Sequence, residues 1–418
     1  MSTKWGPGWY RELSLPERRT VKACVGGWAL DAMDVQLYSF IIPTLMALWT
    51  LSTTEASALQ SAVLVMSSVG GLIAGWLADR IGRVRTMQIT IAWFAIFSFL
   101  SGLAQNYQQL FILRSLMGLG FGGEWAAGAV LLGETIRAQH RGKALGSMQA
   151  GYAVGWALAL FFSWLIFAYL VVPQDYAWRA MFFVGITPAI LVFFLRRFIE
   201  EPEVYKRSQA AIAAGEEPAS VSDIFRPPLL RVTVFGGLLG AGAQGGWQAV
   251  MVLMPLYLQK ERHMSVSGSS GSILVMILGA FCGYMVGAYL SDIVGRRNTF
   301  LIFAIGSLVT VIVYMLVPFP EGARLILGAP LGFFSSGVFS AQGAFLTEQF
   351  PTKVRGIGQG FTYNLGRILG ALTPVAVGLL ESAISLGKAI GLVAGVAYTI
   401  MAVAAFMLPE TKGKVLEP

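Results

Sequence analysis

Apolar blocks of about 20 residues recur along the chain, separated by short polar punctuation. Blocks of that length match a helix crossing the hydrocarbon layer of a bilayer. The pattern predicts twelve such spans, near 22–49, 56–78, 87–105, 109–134, 144–170, 178–198, 231–258, 269–291, 299–318, 323–346, 357–382 and 386–408. The longest polar interruption, IEEPEVYKRSQAAIAAGEEPASVSDIFRPP, falls after the sixth span. The expectation is an all-α integral membrane chain: a six-helix bundle over 1–198, a linker over 199–230, and a second six-helix bundle over 231–418.

Composition agrees with the pattern. Of 418 residues, 56% are hydrophobic and 12% charged, which is too apolar for a soluble chain of this length. The net charge of +8 does not point to nucleic acid, because position accounts for it. Lys4, Arg11, Arg18, Arg19, Lys22, Arg80, Arg83, Arg85, Arg137, Arg141 and Lys143 all fall in segments on one side. The other side carries little beyond Lys260, Arg262 and Lys388. By the positive-inside rule both termini are expected in the cytoplasm, and the first span serves as the targeting segment. Cys24 and Cys282 lie in apolar surroundings without a second ligand type, and are expected as buried small hydrophobes.

The two halves repeat one another. GWLADRIGRVR after the second span is matched by GAYLSDIVGRR after the eighth, so Asp79, Gly82 and Arg83 recur as Asp292, Gly295 and Arg296. GETIRAQHRGKALG is matched by TEQFPTKVRGIGQG, placing Glu134, Arg141, Gly142 and Gly146 opposite Glu348, Arg355, Gly356 and Gly360. Arg114, Gly118 and Gly122 recur as Arg324, Gly328 and Gly332. Repeated six-helix halves in one orientation place a substrate site between them near mid-membrane, with the halves rocking about it.

These motifs resemble the major facilitator superfamily over essentially the whole chain. Within it, RSLMGLGFGGEW, FIEEPEVYKR and EQFPTKVRGIGQGFTYNLGRILG are similar to the proton symporters for organic acids. The Asp31–Asp34 pair is similar to the sialate/monocarboxylate and aromatic-acid branches. The resemblance implies a bacterial inner-membrane symporter with a proton as coupling ion, no other cofactor, a small organic anion as substrate and a monomeric state. Span five lacks the Gly-Pro pair of the drug antiporters, which favours uptake. No P-loop, zinc spacing or nucleophile elbow supports ATP drive or enzymatic turnover.

Charges within the membrane are costly, so each asks for a role. Asp31 and Asp34 are three apart on the first span, and Tyr38 lies one turn further on. The resemblance implies that Asp34 carries the proton and Arg114 partners it, with Asp31 in support. Burial disfavours a charged carboxylate and a nearby guanidinium favours it, so making and breaking the contact can load and release a proton. Glu124 reads either as a second proton site or as a hydrogen-bonded packing acid. Arg367, with Asn364 and Tyr363 one turn earlier, reads as the substrate's carboxylate partner. Tyr38, Gln149, Tyr152, Gln244 and Trp247 are expected at the cavity wall. Asp79, Arg83, Glu134, Arg141, Asp292, Arg296, Glu348 and Arg355 are expected to form a cytoplasmic latch between the halves. A uniporter or exchanger, and a transporter-shaped sensor, are the competing readings.

Overall fold

The computed structural model describes residues 8–170, 173–187, 221–350 and 354–411, and among these the regular elements are helices. In chain order they are α1 (Gly8–Glu12), α2 (Leu15–Trp49), α3 (Thr53–Ile81), α4 (Arg83–Ser101), α5 (Tyr107–Thr135), α6 (Ala138–Ser163), α7 (Gln174–Val184), α8 (Leu229–Trp247), α9 (Val266–Val294), α10 (Arg296–Leu316), α11 (Glu321–Gly337), α12 (Phe339–Gln349), α13 (Arg355–Ala371), α14 (Thr373–Glu381) and α15 (Leu386–Met407). Nine helices among the described residues are long and apolar enough to cross a membrane. Their outer faces carry exposed Leu72, Ile96, Ile112, Leu278, Ile305 and Phe406, as a lipid-facing surface requires. Most of the expected linker, 199–220, lies outside the described residues.

Several boundaries differ from the sequence expectation. α2 begins at Leu15 rather than near 22, because Ser14 and Glu17 form a reciprocal capping box with Pro16 in the first turn. At 1.5 Å per residue its 35 residues span about 52 Å, well beyond the hydrocarbon thickness. The polar first turns therefore project past the apolar layer. There Glu17 holds the Arg137 guanidinium through two bonds of 3.1 and 2.8 Å, fastening the start of α2 to the α5–α6 turn. The expected tenth span divides at Val338 into α11 and α12, and the eleventh at Leu372 into α13 and α14. α8 widens into π-helical turns at Gln248–Val252 and Tyr257–Glu261 around a short α-turn led by Pro255. Cys24 is buried as expected, but Cys282 is exposed beside Leu278 and Phe281, on the outward face of α9.

The repeated residues occupy equivalent places. Gly82 and Gly295 have φ of 105° and 96°, a backbone region nearly closed to other residues, and each turns the chain from one helix into the next. Gly118 and Gly122 on α5 rest against the Val63 and Ser67 carbonyls of α3. Gly332 on α11 rests in the same way against the Met276 carbonyl of α9. Small residues let helices approach to backbone contact, where dispersion replaces the hydrophobic effect that lipid cannot supply. A side chain at Gly122 would collide with the Ser67 backbone. Gly122→Val is therefore expected to destabilise the protein by at least about 1–3 kcal/mol, read as a lowered melting midpoint in detergent.

The halves meet along an antiparallel seam. Thr54 touches Gly378, the Ser61 hydroxyl donates to the Ala371 carbonyl, and the Ser68 hydroxyl donates to the Asn364 carbonyl at 3.4 Å. Each step of seven residues up α3 answers a step of seven back along α14 and α13, the spacing that keeps one stripe of a helix facing its partner. A second contact joins α6 to α9, where Gly146 approaches Ala288. At the end away from the termini, Lys260 reaches Glu381 at 2.6 Å and Thr53 across the seam at 3.5 Å.

Candidate functional site

Two buried arginines organise the interior, and their surroundings differ. Arg114, about two turns into α5, places Nη1 3.0 Å from Asp34 Oδ2, with both side chains fully buried. Ser98 on α4 donates to the other carboxylate oxygen, and the Gly185 backbone closes over the acid from α7. The guanidinium lies 5.5 Å from the Tyr38 ring and 5.2 Å from the Phe182 ring. Among the described residues, Nε and Nη2 of Arg114 have no hydrogen-bond partner. The pair thus rests on a single-oxygen contact, one that a modest helix shift can open. Helix α5 starts at Tyr107, two residues ahead of the expected span, and its Asn106 cap fixes that start by accepting the Gln109 N–H.

Tyr38 belongs with this pair. Its hydroxyl donates to the Ala56 carbonyl at 2.8 Å and its ring lies under Arg114, so both ends of the side chain are engaged within the first half. Asp31 is also fully buried, but among the described residues it is Asp34 alone that forms the ion pair with Arg114. The three-residue spacing that puts both acids on one broad face leaves them in different neighbourhoods.

Arg367 on α13 is 3% exposed. Its guanidinium donates to the Tyr363 hydroxyl at 3.2 Å and to the Ser67 hydroxyl of α3 at 3.3 Å, the latter across the seam. It lies 5.0 Å from the Tyr363 ring and 5.2 Å from the Phe121 ring. Among the described residues no carboxylate forms an ion pair with it. Aromatic rings continue this wall: Trp28 stacks on Phe121 at 6.0 Å, Tyr152 meets Trp28 and Trp247 at 5.5 Å each, and Trp156 meets Trp247 at 6.0 Å. Trp247 donates to the Ser336 hydroxyl at 3.1 Å. Asn364 faces α3, with its amide nitrogen on the Gly360 carbonyl at 2.9 Å. The Gln244 amide nitrogen is buried without a partner among the described residues, while Gln149 reaches the Phe339 carbonyl at 3.5 Å. The walls are flat and apolar, with one cation and a few directed polar groups, as small-ligand sites are built.

Trp28, Ser67 and Phe121 were not among the expected wall residues. Trp28 and Asp31 are three apart, and Phe121 lies seven beyond Arg114, so helical spacing from those charges would have flagged both.

Of the latch, the side chains of Arg296 and Glu348 are described, and those of Asp79, Arg83, Glu134, Arg141, Asp292 and Arg355 lie outside the described residues, as does that of Glu124. Arg296 forms paired bonds to Glu348 of 3.3 and 3.2 Å. Thr411 donates to the same carboxylate at 2.6 Å, and Glu410 accepts the backbone N–H groups of Arg296 and Arg297. This pair joins α10 to α12, both in the second half.

The chain is similar throughout to known proteins. It is 41% identical to the probable 4-methylmuconolactone transporter of Cupriavidus pinatubonensis, over 98% of this chain and 94% of the relative. It is 31% identical to the cis,cis-muconate transport protein of Acinetobacter baylyi, over 90% of each. It is 28% identical to the gallate transporter of Pseudomonas putida, over 90% of this chain and 86% of the relative. Residues 25–374 match the family model of the Major Facilitator Superfamily, and on that match the chain belongs to this superfamily.

Proposed function

We propose that the protein is a twelve-helix symporter of a bacterial inner membrane, which couples inward proton flow to the uptake of a small organic anion by alternating access. The observation that carries the reading is the contrast between its two buried arginines. Arg114 is matched to Asp34, whereas among the described residues Arg367 donates to hydroxyls, lies against aromatic rings and forms no ion pair. A buried cation without a counter-ion is costly, and an incoming carboxylate supplies one with bidentate geometry. The ring-lined wall suits a flat, unsaturated acid, in keeping with relatives named for muconolactone, muconate and gallate.

In this mechanism Asp34 binds a proton when Arg114 withdraws and releases it when the contact re-forms. The seam through Ser61 and Ser68 closes over Arg367 from the first half, so loading the central site and moving the halves are one event. The test is uptake into proteoliposomes holding the full chain, with lactate, sialate, benzoate, gallate, cis,cis-muconate and 4-methylmuconolactone offered under an imposed inward proton gradient. At least one acid should accumulate above its outside concentration, and collapsing the gradient should abolish that accumulation. Undiminished uptake without the gradient would make the protein a uniporter or exchanger, and accumulation of a sugar or cation alone would overturn the reading of Arg367.

A further inference from the structure

The repeat that sets Arg114 opposite Arg324 preserves helix packing and breaks charge compensation. In the first half the arginine meets an acid. In the second half Arg324, 6% exposed, donates through Nη1 to the Tyr257 hydroxyl at 2.6 Å and through Nη2 to the Val317 carbonyl at 3.5 Å. Arg262 donates through Nε to the same phenolic oxygen at 2.9 Å. Two guanidinium groups therefore converge on one neutral atom, and among the described residues neither has a carboxylate partner. Two acids described near the cluster are engaged elsewhere. Glu261 accepts the Gly387 N–H at 2.7 Å, and Glu381 holds Lys260 at 2.6 Å.

Among the described residues, donors outnumber acceptors here. The Tyr257 oxygen receives both arginines, and no acceptor for its own proton is found among the described residues. Tyr314 brings a second buried hydroxyl, which has no hydrogen-bond partner among the described residues, and its ring lies 5.7 Å from the Arg324 guanidinium. A buried hydroxyl left unpaired is costly, and a pair of like charges without a counter-ion more so. One oxyanion would answer all four groups at once. Arg262 is partly exposed, which leaves the cluster open to solution at the end away from the termini. Lys260, two residues before Arg262, makes the contact to Thr53 that closes the seam at that end.

We propose that Arg262, Arg324, Tyr257 and Tyr314 form a second oxyanion site, separate from Arg367, which receives the carboxylate of the cargo before the seam opens. The proposal takes from the functional reading only that the cargo is a carboxylate. The same four groups suit the phosphate of an anionic lipid headgroup, so the experiment separates the two sources.

The probe is 4-fluorobenzoate, followed by fluorine NMR on the full chain in nanodiscs of phosphatidylcholine alone or with added phosphatidylglycerol. The wild type should show two saturable sites, and Arg367→Gln should retain one. Adding Arg262→Gln or Tyr314→Phe to Arg367→Gln should weaken that remaining site at least tenfold, while Arg262→Gln alone leaves the Arg367 site unchanged. Elution volume and melting midpoint check that each variant is folded, and Arg262, being partly exposed, gives the substitution that disturbs packing least. The proposal is overturned if Arg367→Gln leaves no saturable binding, or if what remains is indifferent to Arg262→Gln and Tyr314→Phe. It is also overturned if phosphatidylglycerol suppresses the remaining binding, which would assign the cluster to lipid phosphate. Failure of the Arg367 reading looks different: Arg367→Gln would then keep both sites.

Discussion

Asp34→Asn is expected to abolish accumulation driven by a proton gradient while leaving exchange of labelled for unlabelled substrate in place. Asparagine preserves the size of the side chain and can still accept the Ser98 hydroxyl, so the helix contacts around it persist. What disappears is the group that takes up a proton, and with it the link between the gradient and the closing motion. Removing one member of a buried pair also leaves Arg114 uncompensated, at about 3–5 kcal/mol. The double variant Asp34→Asn/Arg114→Gln should therefore melt higher than Asp34→Asn alone and show the same loss of coupling. The measurement is the internal-to-external substrate ratio in proteoliposomes, expected near unity with the gradient imposed. A ratio equal to that of the wild type would end the assignment of Asp34 as proton carrier.

The second large effect is expected at Arg367. Glutamine there keeps a hydrogen-bond donor near Tyr363 and Ser67 but removes the charge that a carboxylate pairs with. Losing one partner of a buried charge pair costs about 2–5 kcal/mol, which corresponds to at least roughly a 30-fold rise in the substrate concentration for half-maximal uptake. Lysine restores charge without the planar fork, so Arg367→Lys should recover part of the affinity and little of the selectivity for carboxylates. Uptake kinetics with gradient and substrate varied separately distinguish this from a coupling defect, because Arg367→Gln should still accumulate substrate at saturating concentration. Wild-type half-saturation in Arg367→Gln would move the substrate site elsewhere.

Much of the architecture was legible in the sequence, because the bilayer imposes a length on every span and leaves backbone polar groups no partner except their own helix. The internal repeat was legible for a similar reason. Gly82 and Gly295 share a backbone conformation that few other residues tolerate, and Gly122 and Gly332 share a close helix crossing. What hydropathy does not encode is where a helix stops inside an apolar block. The breaks at Val338 and Leu372 are invisible to it, although Pro374 just past the second is a local signal. The early start of α2 was readable from Ser14, Pro16 and Glu17, a capping signature that charge counting alone passes over.

The site was legible as a set of residue types and less so as a set of neighbours. A charge in an apolar run announces itself, which is why Asp31, Asp34, Arg114 and Arg367 stood out. Which acid meets which arginine depends on the rotation of four helices, and a turn of 60° separates the surroundings of Asp34 from those of Asp31. Aromatic wall residues announce nothing by type, since Trp28 and Phe121 have the same composition signal as any lipid-facing ring; only their helical spacing from Asp31 and Arg114 marks them.

The seam between α3 and α13 bears on how cheaply the halves can move. Besides the Arg367–Ser67 contact, its bonds from Ser61 and Ser68 run to main-chain carbonyls, an acceptor that every residue of the facing helix repeats. A donor carried along that helix meets an equivalent oxygen at the next turn, much as a pawl meets the next tooth. Ser61 and Ser68 therefore grip without choosing a single position, and the energy that selects one setting over another is left to the charges at Asp34 and Arg367.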